Sequence, residues 1–192
     1  MWTKKLVAAL ITVLICLLLF LSFFHRYPTI RADLDALDPA AIYAPAYGTI
    51  KQIREIDDYT HLIIFLSPLD IHRQYYPCDG MLAARTHDNS GKYYLAYELE
   101  KSSDNDKVIT TLDTAHGRVV IKQIAGFLAR CIVSYDSIGD KVRAGREMGM
   151  IEFGSRVDLL LPRAGLRLNV DVGQRVNGPD TIIGIYDPEH YE

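Results

Sequence analysis

The chain has 192 residues, a net charge of −3 and 23% charged residues. That length suits one domain with a real core, or one domain with an appendage. The mild acidity leaves no electrostatic footprint for nucleic acid, so a partner of that kind is not expected.

The first element is LVAALITVLICLLLFLSFF, Leu6 to Phe24, which carries no charge. A helix of about 20 such residues crosses the hydrocarbon core of a bilayer. A cleaved signal peptide is the competing explanation, but its apolar region runs to roughly 7–15 residues and ends at a small-x-small site. Here the run ends in Phe23-Phe24-His25-Arg26, a poor cleavage site, so residues 1–26 are expected to remain as an anchor, with the cell membrane as its location. Lys4 and Lys5 precede the span and Arg26 and Arg31 follow it, so flanking charge gives little orientation.

Residues 27–41, with Pro28, Asp33, Asp35, Asp38 and Pro39, form a polar linker or short helix. From residue 42 to 192 the pattern is mainly β, with few short helices. Thr49–Ile53, His61–Leu66, Tyr93–Leu99, Val108–Leu112, Arg118–Ile124 and Cys131–Tyr135 are rich in Ile, Val, Leu and Tyr. Turn residues separate them at Asp57-Asp58, Asp79-Gly80, Asn89-Ser90-Gly91, Asp104-Asn105 and His116-Gly117. Short strands at this spacing predict a sandwich or barrel-like domain.

Cysteine is sparse (Cys16, Cys78, Cys131), and no CxxC or HExxH spacing suggests a metal, so none is expected. IGDKVRAGREMGMI, Ile138 to Ile151, echoes VGQRVNGPDTIIGI, Val172 to Ile185. Hairpins of this form occur in biotinyl and lipoyl carrier domains. A carrier needs an exposed lysine at the hairpin tip, typically beside methionine. No Met-Lys pair exists here and Lys141 sits elsewhere in the pattern, so the echo reads as shared hairpin geometry.

EFGSRVDLLLP, Glu152 to Pro162, has a strand's composition but is interrupted by Gly154-Ser155. A turn is the local explanation. The setting is more specific. YAPAYGTI (43–50), FLSPLDIHRQYYPCDG (65–80), GRVVIKQIAGFLAR (117–130), GDKVRAGREMGMIEFGSRVDLLLP (139–162) and VDVGQRVNG (170–178) follow in that order. In order and spacing they resemble the phosphatidylserine decarboxylase family, especially its short, archaeal-like form. The likeness spans most of residues 23–186, and GMIEFGSRVDLLLP is its most specific part.

The resemblance implies a proenzyme. The Ser155 hydroxyl attacks the Gly154 carbonyl carbon, and the peptide C–N bond gives way to an ester. β-Elimination then breaks the Ser155 Cβ–Oγ bond, releasing residues 1–154 and leaving a dehydroalanine that tautomerises to an imine and takes up water to give a pyruvoyl group and ammonia. Glycine before the serine permits a strained turn. The resemblance further implies that the pyruvoyl carbonyl forms a Schiff base with the amine of phosphatidylserine and accepts charge as carbon dioxide leaves, giving the ethanolamine lipid without a metal. Its expected partners are phosphatidylserine in a membrane and the two cut chains, 1–154 and 155–192, held together by shared sheet; a homo-oligomer is compatible with this.

In the same resemblance His72, in SPLDIHR, matches the family's catalytic histidine, and imidazole suits proton transfer near neutral pH. An ordinary core or surface histidine is the alternative. His25, His61, His87, His116 and His190 have no motif support and are taken as structural. Arg156, directly after the cut, and Arg130, ending the QIAG segment, are candidates for the lipid phosphate because guanidinium donates in a fork. A surface or salt-bridging arginine is the alternative for both. Asn105, in the polar turn SSDNDK, resembles an Asn-Glu-Arg turn of the short-form enzymes.

The pattern departs from the family at its self-processing triad of Asp, His and Ser. Tyr47 stands where the Asp is expected, in Pro45-Ala46-Tyr47-Gly48, and Tyr75 stands where longer members carry the His. A phenol, with a pKa of ~10, does not supply the resident anion of such a triad. Help from Asp70, Asp57 or backbone strain would then be needed. Two other readings follow: an uncleaved, membrane-tethered relative that binds lipid or a partner, and a pyruvoyl decarboxylase for another amino acid head group.

Overall fold

The computed structural model describes residues 2–127, 131–151 and 155–187; Arg130, Gly154 and His190 lie outside them. The chain opens with helix α1 (Trp2–Phe24), 23 residues long, and among the described residues it is the one helix long and apolar enough to cross a membrane. From Leu6 to Phe20 its apolar side chains point outward, uncovered by the rest of the molecule. A β domain follows, with strands β1 (Ala41–Tyr43), β2 (Gly48–Ile56), β3 (Tyr59–Leu66), β4 (Arg73–Tyr75) and β5 (Gly80–Asp88), then the four-residue helix α2 (Leu99–Ser102). Next come β6 (Lys107–Thr114), β7 (Gly117–Ile124), β8 (Ile132–Ser134), β9 (Lys141–Val142) and β10 (Glu147–Ile151). The last four are β11 (Ser155–Pro162), β12 (Leu166–Leu168), β13 (Arg175–Val176) and β14 (Ile182–Tyr186).

Eight strands form one curled antiparallel sheet in the order β13-β2-β3-β11-β7-β6-β5-β9, and two three-stranded sheets, β1-β14-β12 and β4-β10-β8, close over it. This is the mainly β, barrel-like architecture that the strand spacing predicts. β11 lies inside the large sheet. Its residues pair with β3 from Ser155↔Leu66 to Pro162↔Tyr59, and with β7 from Arg156↔Ile124 to Leu160↔Val120. Side chains alternate across a strand, so Val157, Leu159 and Leu161 enter the core with Leu62, Ile64, Val119 and Ile121. Each such buried side chain contributes roughly 1.5–3 kcal/mol.

The internal echo is structural. Gly139 and Gly173 both adopt positive φ, 95° and 91°, the region where glycine has no Cβ penalty. In each copy the residue after glycine bonds back, Asp140 N to Ser137 O and Gln174 N to Asp171 O. Its side chain also accepts from that earlier residue's N–H, at 2.9 Å from Ser137 and 3.1 Å from Asp171. The two turns lead into β9 and β13, which terminate opposite edges of the eight-stranded sheet. The repeated string therefore caps both edges, a role that needs no carrier lysine.

Two expectations fail. Tyr93–Leu99 is not a strand; it is irregular and leads into α2. The Asn105 amide takes the place of a neighbouring strand there, accepting from Tyr94 N at 2.7 Å and donating to Tyr94 O at 2.8 Å. Conversely, β5 begins at Gly80, inside what reads as a turn, because ladder partners on β6 and β9 hold a segment whose second half, Arg85–Asp88, is polar. The stretch between α1 and β1 forms no helix and is strapped to the domain: Arg31 N and Ala32 N donate to the Asp180 carboxylate at 2.8 and 2.9 Å.

Candidate active site

Ser155 is the first residue of β11, fully buried, with its side chain on the core face. Among the described residues its hydroxyl has no hydrogen-bond partner. A buried hydroxyl left unpaired costs about 1–3 kcal/mol, so this is where stability is given up. The other face of β11 is the opposite case. Arg156, 1% exposed, donates from Nε and Nη2 to the two carboxylate oxygens of Asp158 at 2.6 and 2.8 Å. Its remaining donors reach Leu99 O, Ser102 Oγ and Ser103 Oγ, so α2 sits as a lid on the guanidinium. Asp158 also meets His61 Nε2 at 2.9 Å, and Arg54 donates to His61 Nδ1. Burial alone would raise the Asp158 carboxyl, but the bonds from Arg156 and His61 overcome it and hold it below the usual carboxylate range.

For Arg156 the salt-bridging alternative describes its contacts. It lies across the strand from Ser155 with its donors turned to protein acceptors. Arg130 and Gly154 fall outside the described residues. Asn105 is buried and spans Tyr94 and Ala125, bonding Ala125 O at 2.7 Å, so it braces the loop that precedes β6.

His72 lies in the β3–β4 connection and is fully buried. Its Nδ1 meets the main-chain oxygen of Asp70 at 2.9 Å. A carbonyl only accepts, so Nδ1 carries the proton and Nε2 is the basic nitrogen. Burial pushes the imidazole down to about 4, against smaller opposing contributions from the Asp70 carbonyl and charge, with Arg26 adding to the lowering. His72 is neutral at pH 7, as a proton acceptor must be. The Asp70 carboxylate is engaged elsewhere, by Ser67 N at 2.8 Å and by Arg175 at 2.5 Å. Asp57 sits in the β2–β3 turn beside the Pro162 end of β11, the whole strand away from Ser155 at about 3.3 Å per residue. Of the groups considered as helpers, Asp70 is beside His72, through its backbone, and Asp57 is remote.

Two glutamines that sequence reasoning passed over complete this side. His72 O accepts from Gln74 Nε2 at 2.6 Å and from Ile151 N at 3.2 Å. The bond from Gln74 fixes its amide orientation, so its Oε1 must be the atom that accepts from Gln123 Nε2 at 3.0 Å. Gln123 Oε1 is then left over, with no hydrogen-bond partner among the described residues. Gln123 faces Val157 in the ladder, two residues along from Ser155 on the same interior face. Such diagonal neighbours are within reach of a long side chain. Two unpartnered buried oxygens thus share one wall of the core. The sequence did hold a signal: Val119, Ile121 and Gln123 alternate inward along β7, and the third is polar.

Tyr47 and Tyr75 are also brought together. Their rings meet edge to face, with centroids 6.4 Å apart. Burial and then Asp180 push the Tyr47 phenol up to about 12, and burial, then Tyr47 and Glu147, raise Tyr75 further. Both stay neutral. An aromatic pair stands where the family pattern leads one to expect an acid and an imidazole. A cleft of about 530 Å³ at the far end of the sheet, between the β6–β7 turn and β9, has a histidine too. Its His116 ring is taken up by stacking on Tyr186 at 4.2 Å and by Pro39 O at 3.1 Å.

The inner strand of a curled antiparallel sheet thus starts on a buried serine with no hydrogen-bond partner among the described residues, and the connection that leaves β3 at that end carries a neutral histidine held in one tautomer. The family model described as "Phosphatidylserine decarboxylase" matches residues 17–184, and the chain belongs to that family. Curated relatives carry the name phosphatidylserine decarboxylase proenzyme. One from Chlorobium phaeobacteroides is 37% identical over 88% of this chain and 80% of its own length. One from Bacteroides fragilis is 37% identical over 74% of this chain and 65% of its own length, and one from Porphyromonas gingivalis is 37% identical over 86% and 77%.

Proposed function

We propose that this chain is a membrane-anchored phosphatidylserine decarboxylase proenzyme that cuts itself between Gly154 and Ser155. The observation that carries the reading is the Ser155 hydroxyl: buried, unpartnered and placed at the first residue of an inner strand. The orphaned Oγ and the orphaned Gln123 Oε1 fit a site meant to hold a polar group other than the ones present. Formed at Ser155, a pyruvoyl group supplies an electrophilic carbonyl and an electron sink for the amine and carboxylate of the lipid head group. His72 Nε2 takes or returns a proton at the reacting atoms, with Asp70 O holding the ring. The closed core face around Ser155 keeps bulk water away.

After a cut, residues 155–192 would contribute β11 to β14, and β11 would still be paired on both sides by β3 and β7. The two chains would stay associated through those ladders. A 1–26 anchor joined by 27–41 to a catalytic unit, 42–192, fits the same scheme, with α1 placing the unit at a cell membrane.

The Tyr47–Tyr75 pair favours one competing reading, an uncut relative that binds lipid or a partner. One experiment separates the two: intact mass of the purified chain under denaturing conditions, beside Ser155→Ala. The proposed reading expects two pieces, the smaller carrying a pyruvoyl mass and no free amino end. A wild type that stays at 21.7 kDa like the variant overturns it.

A further inference from the structure

The anchor does not end at the edge of the domain. Along α1 the apolar side chains are exposed, Leu19 at 64% and Phe23 at 45%, but Phe24 is 1% exposed. Its ring lies against the His72 ring, with centroids 4.3 Å apart and planes tilted by 34°. The residues that follow fasten this contact. Arg26 donates from Nη2 to Leu69 O at 2.8 Å and from Nη1 to Phe23 O at 2.7 Å, with its guanidinium 3.8 Å above the Phe23 ring. Tyr27 lies under the Arg73 guanidinium at 3.5 Å, and Arg73 is held by Glu147 at 2.5 Å. The helix end is thereby clamped to the β3–β4 connection and to β4.

The loops around that exit carry uncovered apolar side chains. Leu69, next to the Arg26 contact, is 65% exposed, and Phe127, past the end of β7, is 58% exposed. Leu66 and Ile124 pair with Ser155 and Arg156, so both loops leave the sheet at the Ser155 end. The opposite end carries Glu55, Asp57, Asp58 and Arg163. Apolar side chains around the exit of a helix long enough to span a membrane suit contact with a bilayer, and an arginine just past such a helix suits lipid phosphates.

We propose that α1 seats the Ser155–His72 end of the domain directly on the bilayer, and that Phe24 is a positioning residue for His72. This deepens the membrane-anchored reading above and rests on it. A lipid head group would then meet the site at the depth where it already lies. The anchor would set the surroundings of His72, alongside Asp70 on the β3–β4 connection and Arg26 at the helix end. Removing the Phe24 ring would let water reach the imidazole and raise its pKa toward the ordinary value of ~6.5.

The test uses the full chain in vesicles of phosphatidylcholine and phosphatidylserine. Trp2 is the one tryptophan, so Trp2→Phe permits a single reporter, placed by Leu69→Trp or, at the far end, by Ile56→Trp. Lipids brominated near the head group are expected to quench the reporter at 69 severalfold more than the one at 56. Equal quenching in chains that float with the vesicles overturns the seating while leaving the anchor intact. Chains that do not float overturn the anchor itself, and the seating with it. For the second half, NMR titration of His72 is expected to show a rise of one unit or more in Phe24→Ala, recovery in Phe24→Leu and no change in Phe23→Ala. An unmoved His72 in Phe24→Ala overturns the positioning role.

Discussion

At the Ser155 end of β11 both faces are buried, and they are oppositely provisioned. On the outer face Arg156, Asp158 and His61 bond one another and α2. On the inner face Ser155 Oγ and Gln123 Oε1 have no hydrogen-bond partner among the described residues. A buried charge must be paired or the fold fails, so the outer face is closed. A buried neutral oxygen can go unpaired at modest cost, and such atoms are rare enough in native structures to call for a reason. The difference teaches where chemistry can reside on one strand: among the groups the fold can leave open.

The largest effect expected breaks the inner face. Ser155→Ala removes the nucleophile, so cleavage read by intact mass falls to nothing. The melting temperature holds or rises, because an orphan hydroxyl is lost. Next, the outer face is broken by Arg156→Met, which leaves the buried Asp158 with His61 as its remaining partner. Chemical denaturation is expected to show a loss of about 3–5 kcal/mol, while the fraction that still folds keeps cutting.

Gln123→Met sharpens the comparison within the inner face. It keeps the volume but removes the link to Gln74 and the orphan oxygen. The half-time of cleavage is expected to lengthen about tenfold, the worth of one hydrogen bond of ~1.4 kcal/mol. Stability should change by under ~1 kcal/mol, and equal cleavage rates would remove Gln123 from the site.

pH separates the faces again. The folded His72 pKa of about 4 lies below the unfolded value of ~6.5, so the unfolded chain binds the extra proton between them. His72 therefore contributes stability that is fully present above ~6.5 and lost as pH falls through 4. Asp158 is also depressed, and its contribution is lost only at lower pH, below the ordinary carboxylate range. Denaturation midpoints measured from pH 7 to 4 should show the first loss, and His72→Phe should flatten it. The smallest effect is Tyr47→Phe, which deletes an unpartnered Oη. Cleavage should be unchanged; a slower cut would make that phenol a working group.

Local pattern settled a good deal. The uncharged run Leu6–Phe24 is long enough for a membrane span on length alone. Alternation in β3, β7 and β11 sets which residues enter the core, and Gly139 and Gly173 mark matching turns, because strand period and positive φ are properties of a few consecutive residues. The surrounding string singled out Gly154-Ser155 as the candidate, and the fold buries Ser155 at the start of β11. What the string could not assign was partnership. Arg156 reads as a phosphate donor until register and α2 surround it with Asp158, Ser102 and Ser103. Gln74 and Gln123 meet across 49 residues of chain. Tyr47 meets Tyr75, and Phe24 reaches His72, only through the way the β3–β4 connection folds back. These contacts depend on strand order and on where a helix end docks. Both are set by long-range pairing whose energy no single segment carries.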